Sequence, residues 1–297
     1  MSMFRAAPSA RLRRSILSVP AINQRALEKS LSLECDGIIF DLEDSVATDR
    51  KDEARDNLRQ LFEHEDLNGR EAIIRINGSN TPFIAADLEL VRACQPDAVL
   101  LPKTEQPEEL AALRQTVDTG VRLWAMIETP KAILNAHHIA AMTSDLGLDC
   151  LVVGLNDLRK ETRVPAEPSR QFLIPWLMQV VLAARAYGLD VIDSVSNDFK
   201  DLAAFGAECG QGAAMGFDGK MLIHPAQIAA ANSHFGPSDA EIADARALVA
   251  AFAAPEAAHL NIINQNGRMI ERLHAEQAER LLSKMSLLNS RLDHRKV

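Results

Sequence analysis

Eight short apolar runs, each followed by a helix-forming stretch, constrain this chain more than any other feature. In order they are Ser15–Val19, Asp36–Phe40, Ala72–Asn77, Ala98–Leu101, Leu123–Ile127, Leu151–Val153, Asp190–Asp193 and Met221–Ile223. Runs this short, closed by Pro, Gly or a charged residue, read as strands of a parallel sheet buried on both faces. Between them lie segments with apolar residues at helical spacing, such as Ala54, Leu58, Leu61 and Phe62. Strand and helix alternating eight times predict an α/β fold, a (β/α)₈ TIM barrel. An open doubly wound sheet is the runner-up, but it would need no eighth repeat.

The barrel is expected over residues 14–235, after a basic N-terminal arm over 1–13. Residues 236–297 exceed what one barrel needs. Their Ala-, Glu- and Arg-rich stretches, Pro237 to Ala254 and Met269 to Leu288, predict a helical C-terminal extension. It is expected to pack on a neighbouring subunit; a helix pair facing solvent on its own barrel is the alternative. The net charge of −9 leaves no basic surplus for nucleic acid. No apolar run approaches the length of a membrane span. Cys35, Cys94, Cys150 and Cys209 are scattered with no Cys-x-x-Cys pair, so buried thiols in a reducing compartment are expected rather than disulfides. The first 27 residues carry five Arg and no acid, faintly like a transit peptide, but the strand at Ser15 leaves little room for a removable leader. A cytoplasmic enzyme is the expectation.

Chemistry on a barrel gathers at the C-terminal strand ends. Here these read Asp41/Glu43/Asp44, Arg75/Asn77, Lys103, Glu128, Asn156/Asp157, Asp193 and His224, so seven of eight ends are polar. A Glu directly after the buried run Leu123–Ile127 is costly unless a metal ion, an Arg or ordered water meets it. The ring holds many carboxylates, one Arg, one Lys and no Ser or Cys nucleophile beside a base. Hard oxygen ligands of this kind suit Mg²⁺, which takes one or two carboxylates and leaves positions for water and a chelating 2-oxo or 2-hydroxy acid. Arg75 would then stabilise an enolate oxygen. Such a set makes or breaks a carbon–carbon bond next to a carbonyl. A purely structural role for Glu128 and Asp157, as ion pairs with Arg75 or Lys103, stays open on the residues alone. His224 reads as structural, and the adjacent His137 and His138 do not face one ligand.

A series of motifs is more specific. Arg14-Ser-Ile-Leu-Ser-Val-Pro20, Asp36-Gly-Ile-Ile-Phe-Asp-Leu-Glu-Asp-Ser-Val46, Arg75-Ile-Asn-Gly78, Leu101-Pro-Lys103, Ile127-Glu-Thr-Pro130, Gly154-Leu-Asn-Asp-Leu158 and Gly216-Phe-Asp-Gly-Lys-Met-Leu-Ile-His-Pro225 follow one another in order. In these the chain resembles the citrate lyase beta-subunit-like family of the HpcH/HpaI aldolase superfamily. The resemblance implies a Mg²⁺-dependent carbon–carbon lyase that cleaves a 3-hydroxy-3-carboxyacyl-CoA thioester (citryl-, malyl- or citramalyl-CoA) to a 2-oxo acid and an acyl-CoA by retro-Claisen/aldol chemistry. It implies Glu128 and Asp157 as metal ligands, Arg75 on substrate and enolate, and Asp41, Glu43 and Asp44 near the metal waters. Asp41 and Glu128 join Arg75 as substrate-binding residues, and Glu43 and Asp44 join it as catalytic ones. Arg25 and Lys29 match positions that meet CoA phosphates, and Lys103 is grouped with them as cofactor-binding. A homo-oligomer, trimer or hexamer, is implied as well.

The family takes a catalytic Asp from a C-terminal Gly-x-Met-Ile-Asp motif of a neighbouring subunit. This chain reads Gly267-Arg-Met-Ile-Glu271, one methylene longer, so Glu271 is the expected counterpart. Alternatives are an HpcH-type aldolase acting on free 2-oxo acids, and a lyase-complex subunit working on an acyl-carrier-protein thioester without CoA-ester activity of its own.

Overall fold

All eight expected strands form, and they close on themselves. The computed structural model describes residues 11–294 apart from 66, 68, 167–169, 256, 258 and 266. The strands are β1 Ser15–Pro20, β2 Gly37–Asp41, β3 Glu71–Arg75, β4 Ala98–Leu101, β5 Arg122–Ile127, β6 Leu148–Val153, β7 Asp190–Asp193 and β8 Gly219–Leu222. Each pairs in parallel with the next, and β8 returns to β1 through Lys220↔Ser15 and Leu222↔Leu17. Closure excludes the open-sheet alternative.

The helices on the outside are α1 Gln24–Ser30, α2 Lys51–His64, α3 Ile84–Cys94, α4 Pro107–Thr116, α5 Pro130–Ala140 and the single turn α6 Thr143–Leu146. They continue with α7 Leu155–Thr162, α8 Ile174–Tyr187, α9 Leu202–Met215 and α10 Ile228–His234. Local chemistry sets their starts. Pro107 and Pro130 occupy first-turn positions, where no amide hydrogen is needed. Asp201 caps α9 by accepting from the Ala204 amide.

Strand alternation divides the apolar side chains into two cores. Ile16, Ile39, Ile73, Trp124, Cys150 and Ile192 fill the barrel interior, while Leu58, Leu90, Leu110, Ile133, Leu177 and Phe205 pack between strands and helices. Full burial of each large side chain stabilises by about 1.5–3 kcal/mol.

The N-terminal mouth of the barrel is closed by Arg13, which is 4% exposed. Its guanidinium lies 4.8 Å over the Trp124 ring, donates to Glu71 at 2.7 and 2.8 Å and to Asp190 at 2.8 Å, and also binds Asp149. These acids begin β3, β7 and β6, so one cation ties three strands together. Arg13 thus clusters with the barrel residues that follow it. Residues 1–10 of the expected basic arm lie outside the described residues.

The chain divides into two compact units, Arg13–Phe235 and a second one containing Gly236–Val297. The second is not purely helical. After α11 Asp239–Ala253, started by a Ser238/Glu241 capping box, come an antiparallel hairpin, β9 Ile262–Gln265 and β10 Arg268–Glu271, and then α12 Arg272–His294. The expected helix from Met269 therefore begins three residues later. Gly267, at φ 79°, makes the tight turn, and its amide donates to Asn264 Oδ1 at 3.0 Å. Flanking Ile262, Ile263 and Ile270 favour strand. No helix among the described residues is long and apolar enough to cross a membrane.

Candidate active site

A cavity of about 350 Å³ opens at the C-terminal ends of the strands, lined on its charged side by Asp41, Asp44, Arg75, Glu128, Asn156 and Asp157. Its size suits a small organic acid.

Asp41 and Arg75 are register partners at the ends of β2 and β3. Arg75 Nε and Nη2 donate to the two Asp41 oxygens, each at 2.6 Å, the bidentate geometry that a guanidinium and a carboxylate favour. Asp41 also accepts from the Glu43 amide at 2.9 Å and the Ser45 amide at 3.3 Å. Burial would raise the Asp41 carboxyl, but Arg75 and these hydrogen bonds hold it below its usual value. With both oxygens engaged, Asp41 stands behind Arg75 rather than in front of a ligand. Arg75 lines the cavity, and its Nη1, which Asp41 does not take, lies 3.7 Å from Met126 Sδ and 3.2 Å from Glu43 Oε2.

Glu43 stands behind the cavity lining, against Arg75 and Lys103. Its Oε1 is taken by Lys103 Nζ. Its Oε2 is buried 3.2 Å from Arg75 Nη1 but without the alignment of a hydrogen bond. Burial pushes the Glu43 carboxyl up despite the nearby Arg75 and Lys103. Lys103 is likewise committed: Nζ holds Glu43 and lies 3.4 Å from Asp44 Oδ2. Both contacts are to acids of its own chain. Its backbone sits at φ 49°, a left-handed conformation costing a non-Gly residue roughly 1–2 kcal/mol. That turn aims the Lys103 amide at Glu128 Oε1, 2.8 Å away.

Glu128 occupies the junction of β5 and α5. Thr129 ends the strand by capping the helix, accepting from the Ala132 amide at 3.1 Å, and Pro130 follows. Glu128 is 1% exposed, and burial, reinforced by the neighbouring Glu43 charge, pushes its carboxyl up to about 8. The same cavity is lined by Asp157 in the first turn of α7, where the helix dipole favours an anion. Asp157 makes no hydrogen bond or ion pair among the described residues. Gly154 lies against Glu128, where any side chain would put Cβ 2.6 Å from Glu128 Cβ.

This donor set fits a divalent cation. The cavity lining carries Asp41, Asp44, Glu128 and Asp157 against Arg75 alone. Among the described residues no three His, Cys, Asp or Glu side chains converge to enclose a metal. A two-carboxylate site that leaves positions for water and substrate is what Mg²⁺ prefers.

Other expected residues lie elsewhere. Asn77 turns away to Asp87 Oδ2, which its amide and Nδ2 reach at 2.8 and 2.6 Å. His224 caps its own turn, accepting from the Ala226 amide, and stacks on Phe199 at 4.5 Å. Arg25 and Lys29 are exposed on α1, and Glu271 ends β10 in the second unit. Asp193 is fully buried, bound to Arg170 at 2.8 Å and Lys220 at 3.0 Å; Lys220 also donates to Glu208 at 2.6 Å. Sequence reading missed this network, though a Lys inside the apolar run Gly219–Leu222 signals a neighbouring acid, and Asp193 is its register partner. It also missed the lining residues Ser18, Ser194, Val195, Asn197, Met221 and Ile223.

The family described as HpcH/HpaI aldolase/citrate lyase matches residues 14–225. The chain is 44% identical over 271 residues to a (3S)-malyl-CoA thioesterase of Cereibacter sphaeroides, covering 91% of this chain and 94% of that protein. It is 31% identical over 288 residues to a mitochondrial citramalyl-CoA lyase of Rattus norvegicus, covering 91% and 85% respectively. Among solved structures, CitE of Mycobacterium tuberculosis in complex with magnesium, acetoacetate and coenzyme A matches with a TM-score of 0.74 at 28% identity, over 91% of this chain and 97% of that one.

Proposed function

This chain belongs to the HpcH/HpaI aldolase/citrate lyase family, and on that premise we propose that its cavity is a Mg²⁺-dependent carbon–carbon lyase site for a 3-hydroxy-3-carboxyacyl-CoA thioester. One observation carries the reading. Two carboxylates with lone pairs to spare, Glu128 and Asp157, share a cavity with a guanidinium that Asp41 holds rigid.

Glu128 and Asp157 would hold the metal, whose charge would polarise the substrate hydroxyl and carboxylate oxygens. Arg75 Nη1 donates to the thioester oxygen, where negative charge grows as the bond breaks. Asp44, on the cavity wall, accepts the hydroxyl proton. The electron pair of the carbon–carbon bond passes to the thioester α-carbon, leaving a 2-oxo acid. That carbon then takes a proton, for which Glu271 of a neighbouring subunit is the proposed donor. Glu43 acts indirectly, by fixing Lys103 and neighbouring Arg75. Arg25 and Lys29 are the proposed contacts of the CoA phosphates, one helical turn apart on α1. Free cysteines, three of the four buried, suit the proposed cytoplasmic location.

A second reading, thioester hydrolysis, is favoured by the similarity to a malyl-CoA thioesterase. Product analysis separates the two. Cleavage of malyl-, citramalyl- or citryl-CoA releases glyoxylate, pyruvate or oxaloacetate and leaves the thioester intact. Hydrolysis releases free CoA thiol and a hydroxy acid with no 2-oxo product.

A further inference from the structure

The cavity is divided by strand order into a charged arc and an uncharged one. Asp41 and Asp44 follow from β2, Arg75 from β3, Glu128 from β5 and Asp157 from β6. The remaining consecutive strands β7, β8 and β1 bring Ser194, Val195, Met221, Ile223, Ser18 and Pro20 to the same space. None of these side chains ionises.

Among the described residues no cation lines this second arc. Lys220 is the only cationic residue within its three strands. That side chain is fully buried, with Nζ committed to Asp193 and Glu208. Among the described residues Arg75 is the only cation lining the cavity, and Asp41 occupies two of its three guanidinium nitrogens. The Mg²⁺ ligands and Arg75 can meet one carboxylate, one hydroxyl and the thioester oxygen. A second carboxylate on the carbinol carbon would face either acids or an arc of Val195, Met221 and Ile223 with the neutral Ser18, Ser194 and Asn197, which can hydrogen-bond a carboxylate but not balance its charge. A desolvated charge without a partner is strongly disfavoured.

Resting on the reading of this cavity as the site of the acid half of the substrate, we propose that the β7–β8–β1 arc determines specificity. It accepts hydrogen or a short alkyl group on the carbinol carbon and rejects a carboxymethyl group. Malyl- and citramalyl-type thioesters are then substrates, and citryl-type thioesters are not.

Titration of pyruvate and of oxaloacetate into the full-length protein with Mg²⁺ present tests this without turnover. Oxaloacetate is expected to bind at least about tenfold more weakly than pyruvate, since its extra carboxylate finds no cation to balance it. Equal or tighter oxaloacetate binding overturns the proposal while leaving the cavity reading standing. Binding of neither acid overturns both. Ile223 is 40% exposed, so Ile223→Lys places an ammonium in the arc at little cost to the core. It is expected to shift the ratio toward oxaloacetate by about tenfold, as a new charge-assisted contact would. Val195→Lys serves as the second variant should Ile223→Lys not fold. An unchanged ratio in a folded Lys variant removes the specificity role from this arc.

Discussion

Asp41 takes two of the three guanidinium nitrogens of Arg75 in a buried fork, and the third, Nη1, lies 3.2 Å from Glu43 Oε2 in a side chain that lines the cavity. The arrangement converts a flexible side chain into a fixed electrostatic probe. Its cost is a buried ion pair, which stabilises only if both partners are present.

Removing Asp41 should therefore damage catalysis through Arg75. Asp41→Asn is expected to lower kcat by about 10²–10³-fold, the loss typical of a misplaced oxyanion donor. KM should change far less. Steady-state kinetics check the split, and a loss confined to KM would assign Asp41 to substrate binding instead.

Gly154 matters for space. In Gly154→Ala the new methyl group would sit 2.6 Å from Glu128 Cβ, so the carboxylate must move. Mg²⁺ affinity is expected to fall about tenfold or more, in the range seen when support of a metal ligand is lost. Calorimetric titration with Mg²⁺ reads this directly.

The Glu128 carboxyl, raised by burial to about 8 from 4.5, sets a pH dependence for the metal-free protein. The folded state binds this proton more tightly than the unfolded chain, so stability falls as pH rises between these values. Glu128→Gln carries no such charge. Its denaturation midpoint should exceed that of the wild type near pH 9, with the difference shrinking toward pH 5, measured in EDTA.

Asp193 answers for Lys220. Burial raises the Asp193 carboxyl, but Lys220 and Arg170 outweigh it and hold it below 3.8. The stability it contributes is present above the unfolded value and is lost as pH falls through the folded one. Asp193→Asn leaves Lys220 buried with weaker compensation and should cost up to about 3–5 kcal/mol by denaturant unfolding. The double variant Asp193→Asn/Lys220→Met is expected to recover part of that loss.

Strand order and the ring of polar strand ends were legible in the sequence because eight short apolar runs alternate with helical stretches and most of them close on a charged or polar residue. Glu128, Asp157 and Arg75 fell out of that pattern, and the structure brings all three to one cavity. The ion pairs of Glu43 with Lys103 and Arg75 were not legible, because sequence shows which strand ends are charged, not which charges neutralise one another. Arg13 was missed as a plug for a related reason: its partners Glu71, Asp149 and Asp190 lie at least 58 positions away. Of the hairpin, only residues 269–271 fall in a stretch that reads as helix, because the Ala- and Glu-rich run after it sets the pattern; residues 262–267 carry no element in the sequence reading.

The most direct test is release of 2-oxo acid from malyl- and citramalyl-CoA by the wild type and by Glu128→Ala, each with Mg²⁺ and with EDTA. Glyoxylate or pyruvate should form only in the wild type with Mg²⁺, without matching free CoA. Release that persists in EDTA or in Glu128→Ala, or free thiol in place of a 2-oxo acid, would contradict the account.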